Sequence, residues 1–506
     1  MSHTTLRKSY KTQDGRTRAA RKMRRMLALA VLPWGCAALA AGPVASPPAA
    51  APAASTTEGI GELNVLHWWT STSERAAANH VAARMAENGL KWVDGAVAGG
   101  GGGPAIKVLN ERILRRMAPK VAQLNGASMT EWADMGLLLE LDGVAARRNW
   151  SKVMFPQVMA QVTVRGHVVA APLGIQRINN LYLNKALLKR HGIDPPGDWD
   201  GLERAAAKLR AAGVTPVAFS DEPWQVATVF EAMLLSEAGP ALYRRMLEQR
   251  DLSAFDDPAL ERALKRLRAW RNLALPASGI APGERPWTDV VADFANERAA
   301  MLIMGDWARG ELGAMGLEGE RDFSCRAVPG TAQAHLFSID TLAMLAGNGG
   351  SQADQEKMAE LLGSATTQLG YNRIKGSIPV RRDVPVDELD PCAQQSFHLF
   401  ANPNTPRVPS LVHRMAFSEV GKNAIIETVH RFALDPTQTP AAAQRKLQGL
   451  LRALGGCRAA SGARAEASCG ARQGAGEALG GPQQRAGNEE LPRKSPRPSG
   501  LGLQGG

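Results

Sequence analysis

The sequence of 506 residues lacks the short motifs by which many enzymes are recognised. It contains no nucleophile elbow, no dinucleotide-binding glycine fingerprint and no histidine pair at zinc-ligand spacing. A run of glycines, residues 99–103, lacks the lysine of a phosphate-binding loop, so we predict a flexible turn before a helix. We therefore expect neither a cofactor nor a bound metal.

The body of the chain has little net positive charge, although the formal net charge of the whole chain is +12. Nine Lys and Arg against one Asp give residues 1–40 a charge of +8, and seven against four Glu give residues 457–506 a charge of +3. Only about +1 is left for the residues between them. A nearly neutral body with basic ends argues against a nucleic-acid partner.

Long hydrophobic runs are also missing. The apolar run 26–32 follows basic residues 21–25 and is too short for an ordinary membrane-spanning helix. Small residues continue to Ala41, and Ala38-Leu39-Ala40 fits a cleavage pattern, so residues 1–41 are predicted to be a signal peptide for export to the periplasm. Met23 and Met26 are alternative starts. A lipoprotein anchor at Cys36 is less favoured, because residues 33–35 lack the small apolar context.

Composition divides the rest of the chain into three parts. Residues 42–60 are rich in Ala and Pro and are predicted to be a disordered linker. Residues 61–454 are long enough for two sizeable domains. Residues 455–506 hold few large apolar side chains, so we predict a disordered tail.

Of the five cysteines, only two fall in the predicted body. Cys36 would leave with the leader, and Cys457 and Cys469 lie in the tail. In an exported protein, Cys325 and Cys392 are expected to form a disulfide, with two buried thiols as the alternative.

Short apolar strands alternate with helical patterns along the body. The predicted strands are 168–172, 180–184, 217–219 and 299–304, and the predicted helices are 199–212, 228–238, 259–273 and 441–454. This alternation indicates the α/β class with mainly parallel sheets.

Aromatic and polar residues cluster where strands are predicted to end. Trp68 and Trp69 follow the apolar run 63–66, which predicts a strand that delivers two indoles to a loop, although large aromatics more often fill a core. Similar clusters are 223–225, 305–307, 337–340 and 375–377. Indoles stack on sugar rings, and carboxylates and amides bond vicinal hydroxyls. Ligands of open α/β sheets bind at strand ends.

An ordered set of pieces covering residues 62–454 resembles the extracellular solute-binding proteins of sugar ABC transporters, most of all the bacterial glucose/mannose-binding subfamily. The pieces are 66–71, 97–102, 131–133, 170–172, 184–186, 213–218, 223–225, 294–297, 304–311, 329–331 and 375–381. The resemblance implies two α/β lobes with crossing hinge segments, a ligand cleft between them and the Cys325–Cys392 disulfide. It also implies a monomer that captures a monosaccharide and delivers it to membrane permease subunits, without catalysis.

The resemblance also implies which residues contact the sugar. Trp68, Trp69 and Glu74 match contacts of the first lobe, and Gln123 matches a contact on the next strand. Second-lobe or hinge contacts are matched by Trp224, Asp306, Lys375 and His413. Gln176 stands where the family has His, and Asp340 stands in its Asn-Ser-Asp stretch. Trp307 either walls the cleft or packs beneath it.

Departures from the family pattern leave the ligand open. Besides Gln176, Asn180 replaces a Trp and Ser338 stands in a changed stretch. Arg177 would add a cation near the cleft and favour an acidic or phosphorylated sugar.

Two alternatives to transport remain. One is a binding protein that presents its ligand to a sensor, which neighbouring sensor-kinase rather than permease genes would favour. The other is a secreted carbohydrate-active enzyme with Glu74 and Asp306 as its two carboxylates, which turnover would reveal.

Overall fold

The computed structural model describes residues 61–275, 282–347 and 352–455. The predicted signal peptide, the linker and all but the first residue of the predicted tail lie outside these residues. The strands are β1 (Gly61–His67), β2 (Leu90–Ala96), β3 (Val121–Gln123), β4 (Thr163–Val164), β5 (His167–Val168), β6 (Ala171–Arg177), β7 (Asn180–Asn184), β8 (Thr215–Val217), β9 (Ala299–Ile303), β10 (Phe323–Ala327), β11 (His335–Met344) and β12 (Arg407–Pro409).

The helices alternate with these strands along the chain. They are α1 (Thr72–Ala86), α2 (Gly103–Leu114), α3 (Ala127–Asp134), α4 (Asp142–Arg147), α5 (Trp150–Val153), α6 (Pro156–Val162), α7 (Lys185–Arg190), α8 (Trp199–Ala211), α9 (Pro223–Leu247), α10 (Pro258–Leu273), α11 (Trp287–Ala295), α12 (Trp307–Ala314), α13 (Gln352–Leu362), α14 (Ala365–Lys375), α15 (Pro391–Ala401), α16 (Glu419–Leu434) and α17 (Pro440–Ala453). None of the helices in the described ranges is both long and apolar enough to cross a membrane.

Two sheets organise two lobes. The first has six strands in the order β12-β11-β3-β1-β2, with β6 paired to β11, and the second has four in the order β10-β7-β9-β8. Each sheet has its own large apolar core. We call the elements around the six-stranded sheet lobe 1 (β1–β6, β11, β12, α1–α6, α13–α15) and those around the four-stranded sheet lobe 2 (β7–β10, α7–α12, α16, α17).

Three segments carry the chain between the lobes. They join β6 to β7, β10 to β11, and β12 to α16. The predicted two-lobed α/β architecture is therefore confirmed. The expectation of mainly parallel sheets is wrong, because β6 pairs antiparallel with β11 and β7 antiparallel with both β9 and β10. Since β6 leaves lobe 1 and β11 returns to it, these paired strands run in opposite directions.

Local signals place most of the predicted elements close to where they lie. The Asp198 side chain caps α8 by accepting from the Gly201 N–H at 2.7 Å, and Leu202 and Leu209 lie on its buried face. Strand β7 has the predicted bounds. The helix predicted from residue 228 begins earlier, at Pro223, and continues past a kink at Gly239, where φ is +68°. Strand β8 ends at Val217, where the predicted strand began.

The Cys325–Cys392 disulfide is confirmed, with the two Cα atoms 5.9 Å apart. It joins β10 of lobe 2 to α15 of lobe 1. Close to it, Arg309 of α12 forms an ion pair with Asp390, the residue that caps α15. The two lobes are thus connected by a covalent bond and a charge pair in addition to the crossing segments.

Candidate functional site

A cleft of about 600 Å³, counted to its open mouth, lies where the two lobes meet. Its lobe 1 side begins at the end of β1, where Trp68 and Trp69 enter a loop. Ser71, two residues after Trp69, forms a capping box with Glu74 at the start of α1. Trp69 is 1% exposed and packs on Tyr371 with ring centroids 5.5 Å apart, so it serves both as core and as cleft wall.

A buried ion pair stands beside these indoles. Glu74 Oε1 accepts a hydrogen bond from Lys375 Nζ at 3.0 Å, and Oε2 accepts from the Thr70 and Ser71 backbone N–H groups at 3.1 and 3.2 Å. Lys375 is the last residue of α14. Burial lowers the pKa of Lys375, but the carboxylates of Glu74 and Asp340 outweigh burial and hold it above its usual value. The ammonium therefore stays charged.

Two polar side chains, Asp340 and Gln176, form the floor of the cleft, with Gln123 bonded behind them. Asp340 Oδ2 accepts from Gln176 Nε2 at 2.8 Å, and Oδ1 accepts from Gln123 Nε2 at 3.3 Å. Gln123 Oε1 in turn accepts from the Trp68 backbone N–H at 3.2 Å. Because its amide N–H₂ group is held by Asp340, Gln176 presents its carbonyl oxygen as a hydrogen-bond acceptor.

Aromatic rings from lobe 2 form the opposite wall. Trp224 stands in the first turn of α9 and Trp307 begins α12, with their centroids 6.1 Å apart. His413, from the third crossing segment, lies 4.9 Å from the Trp307 ring. Burial, together with nearby Arg414, lowers the pKa of His413 to about 3, so this imidazole is neutral at ordinary pH.

Arg414 and the glycine turn close one end of the cleft. The Arg414 guanidinium lies 5.5 Å from the Trp68 ring centroid, pairs with Glu419 at 2.7 Å and donates to the carbonyl of Gly101. Gly101 has a φ of +66°, and a Cβ there would lie 3.4 Å from Trp224. The glycines form a turn before α2, as predicted. This turn also touches lobe 2, which the sequence did not indicate.

A second contact joins the lobes at α1. Glu311 Oε2, on α12, accepts from the Ser73 backbone N–H at 3.0 Å and from its hydroxyl at 2.9 Å. This carboxylate lies at the positive N-terminal end of α1, where a negative charge is favoured. The lobes thus touch on two sides of the cleft.

Several buried polar atoms of the cleft have no hydrogen-bond partner among the described residues. They are the indole nitrogens of Trp69 and Trp307 and the carbonyl oxygen of Gln176. A buried donor or acceptor without a partner costs about 1–3 kcal/mol. The arrangement therefore suits a ligand that supplies both acceptors and donors, as vicinal hydroxyls do.

The structure brings nine of the eleven predicted site residues to the lining of this one cleft: Trp68, Trp69, Glu74, Gln176, Trp224, Trp307, Asp340, Lys375 and His413. Gln123 and Asp306 lie behind the lining instead. Gln123 orients Asp340 and the Trp68 backbone. Asp306 Oδ2 accepts from the Arg177 backbone N–H at 2.8 Å, and burial raises the pKa of this carboxyl to about 7.

Sequence reasoning missed Thr70, Gly101, Asn125, Trp287 and Arg414, which also line the cleft. Trp287 follows a proline at the start of α11, as Trp224 does at the start of α9, and this repeated Pro-Trp pattern is a signal that could have identified it. Arg414 had no comparable signal.

The expected position of Arg177 near the cleft is wrong. Residues alternate between the two faces of a strand, so the two neighbours on β6, Gln176 and Arg177, point to opposite sides. Arg177 lines a small internal cavity beside the disulfide, together with Asp306 and Arg309. Burial lowers the pKa of its guanidinium to about 10, and Nε donates to Asn179 Oδ1 at 3.4 Å.

Possible metal-binding groups lie away from the cleft. Among the described residues they are an exposed trio, Glu140, Asp142 and His167, and Glu320 with the two disulfide sulfurs. In the trio, His167 Nδ1 and Asp142 Oδ2 are 2.8 Å apart, the geometry of an ordinary surface ion pair.

Two α/β lobes around an aromatic and polar cleft define a two-lobed ligand-binding protein. The family model of the bacterial extracellular solute-binding proteins matches residues 69–348, and the chain belongs to this family. It is therefore a solute-binding protein and not an enzyme, which excludes the glycosidase alternative.

Relatives with curated names cover nearly the whole body. A "probable sugar-binding periplasmic protein" of Brucella melitensis is 34% identical over 412 residues, which are 81% of this chain and 94% of the relative. One of Rhizobium meliloti with the same name is 35% identical over 75% of this chain and 91% of the relative.

Solved structures share the fold. The bacterial solute receptor AcbH, described with an exclusive preference for β-D-galactopyranose, matches with a TM-score of 0.65 at 16% identity over 78% of this chain and all of its own. The GacH receptor of Streptomyces glaucescens, solved with acarbose, matches with a TM-score of 0.62 at 22% identity over 78% of this chain and 98% of its own.

Proposed function

We propose that this protein is an exported, monomeric sugar-binding protein that captures a monosaccharide of the glucose or mannose kind and hands it to an ABC importer. The observation that carries the proposal is the set of unpartnered polar atoms in the cleft, two indole N–H donors and one amide acceptor. Each hydroxyl of a hexose both donates and accepts a hydrogen bond, so one sugar ring can satisfy both kinds.

The names of relatives support sugar as the ligand and transport as the purpose. Those of Brucella and Rhizobium are named as probable sugar-binding periplasmic proteins. A relative in Pyrococcus horikoshii, 28% identical over 83% of this chain, is named as an ABC transporter extracellular-binding protein. Permease subunits in the inner membrane are then the protein partner.

Contacts between the lobes favour a short ligand. Gly101 lies against Trp224 on one side of the cleft, and Ser73 bonds Glu311 on another. These contacts limit the room for a long oligosaccharide more than for a single ring. The mechanism is closure of two lobes about the crossing segments.

Charge pairing favours a neutral sugar over an acidic one. The cleft contains two cations, and each is already paired with a carboxylate. Lys375 pairs with Glu74, and Arg414 pairs with Glu419. Arg177, the cation that suggested an acidic ligand, faces away from the cleft. An anionic sugar would therefore compete with a carboxylate that is already in place.

Calorimetry of the purified protein against glucose, mannose, galactose, glucosamine, gluconate and glucose 6-phosphate tests the proposal, with thin-layer analysis of the recovered sugar. We expect a dissociation constant near 1 μM for a neutral hexose, about −8 kcal/mol, and the sugar recovered unchanged. Binding of gluconate or glucose 6-phosphate alone would contradict the neutral-ligand part, and no binding to any sugar would contradict the whole.

A tryptophan variant locates the binding in this cleft. Trp307→Phe keeps an aromatic ring but removes the indole N–H, and we expect about fivefold weaker binding, one hydrogen bond of about 1 kcal/mol. Trp199→Phe is the matched control, because its N–H bonds Ser236 at 3.0 Å outside the cleft. Equal affinities for the two variants would place the sugar elsewhere.

A further inference from the structure

Lobe 1 carries apolar and positively charged side chains together over the last two turns of α2 and the three residues after it. Leu114 is 85% exposed and Met117 is 58% exposed. We call this surface the α2 patch and define it by six residues, Lys107, Arg112, Leu114, Arg115, Arg116 and Met117.

The cations of the α2 patch are unpaired. Within the described part of the chain, none of the four charged side chains has a hydrogen bond or ion pair to another residue, and Glu111 is the one carboxylate on α2. Some exposed arginines elsewhere do have partners: Arg147 and Arg148 pair with Glu360 at 3.0 and 2.6 Å. The patch therefore concentrates a net charge of about +3 on a body of nearly zero net charge.

The patch lies at the end of lobe 1 opposite the cleft. Helix α2 begins two residues after Gly101, which lines the cleft, and its 12 residues extend about 18 Å. Lys120, just beyond the patch, donates to the carbonyl of Glu62 at the start of β1, the strand whose other end leads to Trp68. The patch is built from lobe 1 alone, so closure of the lobes leaves it unchanged.

We propose that the α2 patch rests on the anionic lipid surface of a membrane. Lysine and arginine beside an anionic bilayer each contribute about 1 kcal/mol of attraction, and exposed Leu and Met side chains add partial burial in the interface. A protein partner that recognises the closed form would need surfaces of both lobes. The α2 patch belongs to one lobe and does not change when the lobes close. It would therefore hold the protein near the membrane whether or not a sugar is bound.

This proposal rests on the export in the proposed function but not on the identity of the sugar. The test is sedimentation of the full chain with vesicles of phosphatidylglycerol and phosphatidylcholine in equal parts, and with vesicles of phosphatidylcholine alone. Sugar binding by the same proteins is measured by calorimetry, so that failure of the two proposals can be told apart.

Two variants separate charge from apolar contact. Arg112→Gln/Arg115→Gln/Arg116→Gln should lower the partition coefficient on anionic vesicles about 100-fold, since each cation contributes about fivefold. Leu114→Ser/Met117→Ser should lower it about tenfold, with sugar affinity unchanged in both. The matched control, Arg147→Gln/Arg148→Gln, removes exposed cations that already have a partner and should partition like the wild type.

Five results would overturn the proposal, and the first four need no permease. The first is wild-type protein that does not bind anionic vesicles, and the second is a triple variant, with the same leader and tail, that still binds them. The third is an equal loss of partitioning in the control variant. The fourth is a wild-type dimer in light scattering that the triple variant lacks. The dimer would assign the surface to a second copy of this chain. Binding that depends on the patch but needs only permease in phosphatidylcholine would assign it to a protein, which also contradicts the lipid proposal.

Discussion

The buried pair Glu74–Lys375 joins α1 to α14 in the wall of the cleft. Its side chains are 9% and 4% exposed. Taking charges out of water is costly unless the geometry is good and the remaining lone pairs are satisfied. Here two backbone N–H groups complete the bonding of Glu74, so the pair holds a carboxylate and an ammonium ready for a ligand's hydroxyls.

Removing one partner of this pair should lower both the stability of the protein and its affinity for sugar. For Lys375→Met we expect a loss of about 3–5 kcal/mol in the free energy of unfolding, because Glu74 is left as an uncompensated buried charge. Glu74→Gln/Lys375→Met should recover most of that stability but no sugar affinity, measured by urea unfolding and calorimetry. Lys91→Met, which breaks the exposed pair with Glu62, should cost under about 1 kcal/mol. A double variant as unstable as the single one would contradict this account.

A second buried carboxylate, Glu231, predicts a pH dependence. It accepts hydrogen bonds from the Ser410 hydroxyl at 2.6 Å and the Leu411 N–H at 2.9 Å, yet burial raises its pKa to about 7. Because the folded pKa lies above the unfolded value, the folded state binds the extra proton. The stability contributed by Glu231 is therefore full below about pH 4.5 and is lost as the pH rises through about 7.

The measurement is the difference in unfolding free energy between wild type and Glu231→Gln at several pH values. We expect the wild type to lose about 3 kcal/mol relative to the variant between pH 4.5 and 7. The difference is needed because His413, whose pKa burial lowers to about 3, acts in the opposite direction below about pH 6.5. A difference that stays constant with pH would show that Glu231 titrates normally.

At the scale of elements, the third crossing segment meets lobe 1 at a glycine. Gly126 has a φ of +55°, and a Cβ on it would overlap the carbonyl oxygen of Arg414. The Ala127 N–H donates to that same oxygen at 2.9 Å. The close approach of two backbones, and not only the turn, therefore requires glycine here.

Gly126→Ala should push the crossing segment away and weaken both folding and sugar binding. The matched control is Gly136→Ala, which has a φ of +69° but nothing within 4 Å of the added Cβ. The control should lose about 1–2 kcal/mol from backbone conformation alone and keep its affinity. We expect a larger loss for Gly126→Ala in urea unfolding, with weaker binding because Arg414 and His413 move. Equal losses would show that Arg414 is not held by this approach.

At the scale of the whole molecule, the disulfide connects the lobes. Cys325 and Cys392 are 67 residues apart in sequence, and closing a loop of that length removes about 4 kcal/mol of chain entropy from the unfolded state. We expect Cys325→Ser/Cys392→Ser to lower the melting temperature of the protein by several degrees. Reductant should lower the wild type to match and leave the variant unchanged. A wild type unaffected by reductant at its melting temperature would contradict this role.

Much of the fold was predictable because its signals are local. The Asp198 cap, the helical spacing of α8 and the apolar strand β7 are each written within a few residues, and they place these elements within a residue of their observed bounds. The parallel sheet was wrongly predicted, because the direction of β6 against β11 depends on where the chain leaves and re-enters lobe 1, which no local pattern records.

Sequence by itself determined the class of the body, the pairing candidates among the cysteines and nine of the side chains that meet in the cleft. It could also have shown that Gln176 and Arg177 face opposite ways, since strand alternation is a sequence property. Only the tertiary structure decided which polar residues stand behind the lining, as Gln123 and Asp306 do, and which distant residue completes it, as Arg414 does. The physical reason is that hydrogen-bond and ion partners such as Asp340 for Gln123 and Glu74 for Lys375 are separated by hundreds of residues, and only the folding of lobe 1 from distant parts of the chain brings them within bonding distance.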